Sequence, residues 1–195
     1  MVVTMKDNTQ FIIKSPKNSE IWYQTSDNTE CTIDNLLSGL SGNAGGLGNG
    51  NAVLSFTPYY DQTINFGKIV ADFDEEMYHI RPTLFTGKNL KCVYLPSSVK
   101  YISDDAFAGQ QYLETISELD VYEIGEGAFE NCYKLTDVKF GHWPRISDNA
   151  FSNCTELKTL TFTTSQYYSQ PNPISGTAFQ NCDNLTDIIF ELNYS

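Results

Sequence analysis

Apolar residues in this chain recur at a long interval. Phe85, Phe107, Phe129 and Phe151 stand 22 residues apart, and Phe179 follows after 28. Five residues before each is an isoleucine: Ile80, Ile102, Ile124, Ile146 and Ile174. Ala106, Ala128, Ala150 and Ala178 directly precede four of the phenylalanines, with Leu84 in the first copy. Leu113, Leu135, Leu157 and Leu185 follow six residues after theirs, and Leu90 comes one residue early. Further on stand the apolar pairs Val93/Leu95, Val138/Phe140, Leu160/Phe162 and Ile188/Phe190. A fixed period of this length marks a solenoid, in which each unit buries its apolar side chains against its neighbours.

The polar positions between them predict the elements. The residue after each isoleucine is Arg81, Ser103, Gly125, Ser147 or Ser175, and the next is Pro82, Asp104, Glu126, Asp148 or Gly176. Ser or Gly followed by Pro or an acid suits an N-cap and a first helical position. Two residues after each phenylalanine stands Gly87, Gly109, Asn131, Asn153 or Asn181, residues that tolerate a left-handed backbone and so end a helical turn. "SDDAFAG" therefore predicts a single capped helical turn, whereas "LTDVKF" and "LKTLTF" alternate with period two and predict short strands. The expected fold class is an α/β repeat. It is a leucine-rich repeat solenoid with short parallel β-strands and one short helical turn per 22-residue coil, preceded by a small β-rich N-terminal segment.

"VKYISDDAFAG", "VYEIGEGAFENC" and "PRISDNAFSNC" resemble the BspA-like repeats, a family of bacterial and protozoan surface proteins. The resemblance covers residues 69 to 190, and "NSEIWYQTSDN" at 18 to 28 is similar to the head segment of gut-bacterial members. Two stretches depart from the pattern: "IVADFDEEMYHIRPTLFTG" is a degenerate first coil, and "TTSQYYSQPNP" at 163 to 173 carries an insertion. The resemblance implies a non-enzymatic, adhesin-like protein, secreted or at the cell surface. Its partner would be another protein, such as a host extracellular-matrix or cell-surface protein, and it would need no cofactor.

Two regions are expected. Residues 1–60 would form a cap: "TQFIIK" and "EIWYQTS" predict a hairpin turned by "SPKNS" over the first coil's open edge, with a Gly-rich loop at 36–52. Residues 61–195 would form the repeat domain of about five coils. The loop's glycines lack the spacing of a dinucleotide fingerprint, and no phosphate-loop lysine follows.

Charge narrows the partner. Twelve Lys and Arg against 24 Asp and Glu give a net charge of -12, which repels nucleic acid and anionic lipid. No apolar run approaches the roughly eighteen residues of a membrane-spanning helix, so direct membrane insertion is not expected. "MVVTMKDNTQ" lacks the apolar stretch of a signal peptide, so an exported protein would be represented here by its mature part. The five cysteines do not suggest a disulfide framework. Cys132, Cys154 and Cys182 share one register position, and an assumed separation of about 8–10 Å between stacked elements predicts buried, reduced thiols.

A strand written Leu-x-x-Val-x-Leu turns its inner polar positions outward on the concave sheet. Those positions are Cys92 and Tyr94, Thr115 and Ser117, Asp137 and Lys139, Thr159 and Thr161, then Asp187 and Ile189. The third coil's register is the looser one, because Leu119 comes one residue late. This mixture of hydroxyl, acid, base and aromatic groups suits a protein contact. Trp143, Tyr167 and Tyr168, in loops between coils, are candidate anchors. His79 and His142 belong to no nucleophile or zinc motif, and "DFDEE" at 72 to 76 lacks the glycine turn of a calcium loop, so no catalytic or metal residue is assigned. Two further readings stand beside the adhesin: a structural spacer of the cell envelope, and a glycan-binding protein using Trp143, Tyr167, Tyr168 and the acids of "DFDEE".

Overall fold

The computed structural model describes residues 2–4, 10–12, 20–26, 40–42, 56–61, 66–71, 77–82, 84–85, 89–165 and 173–193. Ahead of the coils lie β1 (Val2–Thr4), β2 (Gln10–Ile12), β3 (Glu20–Thr25), β4 (Leu40–Gly42), β5 (Phe56–Asp61) and β6 (Phe66–Ala71). Each coil then has a short strand, a run of turns and a second strand. The short strands are β7 (Met77–Ile80), β9 (Tyr101–Ile102), β11 (Glu123–Ile124) and β13 (Arg145–Ile146). The second strands are β8 (Leu90–Tyr94), β10 (Thr115–Ile116), β12 (Asp137–Phe140), β14 (Thr159–Ser165) and β15 (Asp187–Asn193).

Successive coils pair in parallel: the short strands join one sheet, and the second strands fall into two, one holding β8 and β10 and the other β12, β14 and β15, which meet at the Leu119–Phe140 bridge. The short strands form a stack not foreseen from sequence, with Ile80, Ile102, Ile124 and Ile146 aligned and Ile146 bridged to Ile174. In the sheet of β12, β14 and β15, Val138, Leu160 and Ile188 are in register, as are Phe140, Phe162 and Phe190. The interior is a stack of rings: Phe107–Phe129 and Phe129–Phe151 have centroids 4.9 Å apart at 5° and 6°, and Phe151–Phe179 follows at 5.2 Å. A period fixed by hydrogen-bonded strands places identical side chains one above the other, so the rings stack.

The expected helical turn is absent: no helix occurs among the described residues. The segment is a chain of i→i+3 turns, with the Ala106 amide donating to Ser103 at 3.2 Å and the Ala108 amide to Asp105 at 3.1 Å. The cause is the backbone at Asp105, Gly127 and Asn149, which adopts φ of 55°, 60° and 54°. A left-handed residue directly before the alanine interrupts a right-handed helix and frees its neighbours to bond to the next coil. The Phe107, Phe129 and Phe151 amides donate at 2.7 Å to Ala128, Ala150 and Ala178 of the following coil. The turn-ending positions behave as the sequence suggests, with Gly109, Asn131, Asn153 and Asn181 all at positive φ. The acids expected to start helices brace the next coil instead, as where Asp104 Oδ1 accepts the Glu126 amide at 2.8 Å.

The N-terminal strands pair differently from the expected hairpin. β2 pairs with β1, while β3 lies antiparallel between β6 and β8, so both of its edges are taken. Ile21 and Tyr23, fully buried, join the core beside Phe85, which is why this strand docks on the first coil. Leu40–Gly42 of the Gly-rich stretch form β4 on β7. The rest of that stretch, the 72–76 acids, Tyr167 and Tyr168 lie outside the described residues.

Cys132, Cys154 and Cys182 are free and buried as expected, but coil spacing corrects the argument that led there. Elements joined by backbone hydrogen bonds sit about 4.7–4.9 Å apart, half the spacing of packed helices. The cysteine column is therefore close-set. Cys132, Cys154 and Cys182 Sγ donate to the carbonyls of Phe107, Phe129 and Phe151 at 3.2, 3.2 and 3.1 Å. One coil earlier, Gln110 takes the same place, its Nε2 donating to the Phe85 carbonyl at 3.1 Å while its Oε1 accepts the Leu90 amide.

Candidate functional site

Alternation along the second strands buries Val93, Leu95, Ile116, Val138, Phe140, Leu160 and Phe162. The residues between them face outward in two rows. Pairing aligns Cys92 with Thr115, and Asp137 with Thr159 and Asp187. The other row carries Tyr94, Lys139, Thr161 and Ile189, the last three in register.

Ser117 does not continue that row. Leu119 is bridged to Phe140, so the third coil holds one extra residue between Ile116 and its next buried leucine. The chain accommodates it by turning Ser117 toward the previous coil, where its Oγ accepts the Leu95 amide at 2.9 Å. Glu118 occupies the vacated position, with its carboxylate 3.7 Å from Lys139 Nζ. The late Leu119 was the signal for this shift. A second outward residue, Trp22, comes from β3: it pairs with Tyr94 while Ile21 and Tyr23 point inward. The alternation of "EIWYQT" places Trp22 outward, but only the pairing shows which row it joins.

The face is acidic overall. Lys139 lies between Glu118 and Glu191, 3.0 Å from the latter, and that hydrogen bond holds its ammonium above the usual lysine range. Asp137, Asp187 and Glu191 are exposed. Burial pushes the Tyr94 hydroxyl up to about 12, with Cys92 adding to the effect, so the phenol remains a donor at neutral pH. Burial also raises the Cys92 thiol, which keeps it protonated and a weak nucleophile.

Trp143 folds back onto the end of the stack, its ring 4.7 Å from Phe162 and 5.6 Å from Phe190. The histidines lie beside the short-strand sheet. His79 stacks on Tyr101 at 4.7 Å, and burial, followed by Arg81, holds it below the usual imidazole range. His142 is buried, with Nδ1 2.8 Å from Asp120 Oδ1, and Asp120 also holds Lys100. A groove of about 350 Å³ passes Glu126, Arg145, Asp148, Pro173 and Ser175, but Asp148 Oδ1 already accepts the hydroxyls of Ser175 and Thr177. Among the described residues no group of three His, Cys, Asp or Glu could hold a metal ion, and no helix is long and apolar enough to cross a membrane.

Comparison with known families matches residues 78–195 to the BspA type leucine-rich repeat region, in six copies. No curated protein and no solved structure matches the chain.

Proposed function

Since the chain belongs to the BspA type leucine-rich repeat family, we propose that it is a non-enzymatic, adhesin-like protein of the cell surface or the secreted fraction. It binds another protein through the outward face of β8, β10, β12, β14 and β15. One observation carries the reading: strand pairing sets Trp22 beside Tyr94 in one sheet and aligns hydroxyls and charges on β12, β14 and β15 in the sheet that follows it. Rigid aromatics supply contact area at low entropic cost, and the surrounding polar groups supply selectivity. Glu118, Asp137, Asp187 and Glu191 around a single Lys139 favour a partner with a basic patch, such as an extracellular-matrix or cell-surface protein. The test is binding of immobilised matrix and cell-surface proteins by the wild type and by a Tyr94→Ala/Lys139→Glu variant of equal melting temperature. Loss in the variant supports the sheet face. Equal binding moves the contact elsewhere, and binding by neither protein favours a structural module.

A further inference from the structure

The cysteine column holds a pair whose chemistry the binding reading does not use. Cys154 and Cys182 stand at the same position of the last two coils, one residue after Asn153 and Asn181. Those coils are held together at this point by backbone and side chain: the Asn153 amide donates to the Gln180 carbonyl at 2.9 Å, and Asn181 Nδ2 to Asn153 Oδ1 at 2.7 Å. Neighbouring hydrogen-bonded strands sit about 4.7–4.9 Å apart, inside the roughly 4.4–6.8 Å Cα range that a disulfide spans. Cys182 Sγ points back into the preceding coil, onto the Phe151 carbonyl. Cys132 repeats the placement one coil earlier, but it and Cys154 have no exposure, whereas Cys182 is 9% exposed. Cys182 also belongs to the least covered coil, in which Ile188, Ile189 and Phe190 are exposed.

We infer that Cys154 and Cys182 form an intramolecular disulfide that staples their two coils when a small-molecule disulfide, such as oxidised glutathione, reaches the partly exposed Cys182. Cys182 enters first. Its thiol gives a proton to solvent, and the thiolate attacks one sulfur of the small disulfide, breaking that S–S bond and expelling one small thiol. Cys154 then loses its proton and attacks the Cys182 sulfur of the mixed disulfide, expelling the second small thiol. The protein is oxidised by two electrons and the small disulfide is reduced to two thiols. Exposure supports this order: Cys182 is 9% exposed and Cys154 is fully buried.

The experiment incubates the native protein with oxidised glutathione, alkylates it after unfolding and digests it with trypsin. Cleavage after Lys134, Lys139, Arg145 and Lys158 puts Cys132, Cys154 and Cys182 on separate peptides. The expected result is a linked pair of the Cys154 and Cys182 peptides, a chain lighter by about 2 Da, and a melting temperature higher by several degrees that returns on reduction. Cys182→Ser should abolish the link, and Cys132→Ser should retain it. A glutathione adduct that persists on Cys182, a link from Cys182 to Cys132 or Cys31, or no reaction at all would overturn the inference.

Discussion

The first and last described coils are covered differently. At the first coil, β3 runs antiparallel along β8 and β4 along β7, so the open backbone edges of both sheets are paired. At the last coil, β15 pairs with β14, and Ile188 and Phe190, which occupy core positions in the repeat register, are 57% and 54% exposed. Equivalent sequence positions therefore differ in worth, because an apolar side chain contributes only as much as the neighbour on its far side allows.

Substitutions that contrast an enclosed coil with the coil of the exposed Phe190 should break this comparison first. Phe129 is sandwiched by Phe107 and Phe151, so Phe129→Ala should cost about 3–5 kcal/mol in denaturant unfolding. Tyr23→Ala, at the covered end, should fall in the same range, since its ring is fully buried against Phe85. A small effect at Tyr23 would mean that β3 is not part of the cooperative core. Gln110→Ala should cost about 1–3 kcal/mol, because the Phe85 carbonyl and Leu90 amide lose a buried partner together. Gln110→Cys should recover part of that loss, given that the later coils use a thiol at this position.

Phe190→Ala, by contrast, should cost no more than about 1 kcal/mol despite its place in the aromatic register. The smallest effect is alkaline. Tyr94 has its hydroxyl raised above the ordinary 10.0 to about 12, so the folded state holds the phenolic proton more tightly than the unfolded chain does. Its contribution is complete below pH 10 and is lost as pH rises through about 12. A melting temperature that declines over that window in the wild type, and less steeply in Tyr94→Phe, would check it.

Much of this architecture is legible in the sequence because the repeat writes each position several times. The Ile, Ala-Phe and Cys columns pack into one interior, and the left-handed corners at Gly109, Asn131, Asn153 and Asn181 follow from residue type. The helical turn fails for a local reason. Asp105, Gly127 and Asn149 also tolerate positive φ, and a pattern of caps does not reveal which of two permissive residues will use that freedom. The spacing of the thiols depends on whether coils join by hydrogen bonds or by packed helices, so that error followed from the first. At the outward face, alternation alone places Tyr94 and Lys139, but Glu118 and Trp22 require knowledge of strand partners many residues away in sequence.

The extra residue at Ser117 and Glu118 also has a mechanical meaning. On the outward sheet β12 and β14 share four aligned pairs, but between the β10 coil and the β12 coil the bridge is Leu119 to Phe140. The short-strand sheet crosses the same boundary intact, through Tyr101–Glu123 and Ile102–Ile124. One side of the stack is thus stitched loosely where the other is stitched fully, as in a stacking fault backed by a hinge. A pull on the outward face, of the kind a bound and tethered partner would exert, should open the solenoid there, leaving intact coils on either side of the crease.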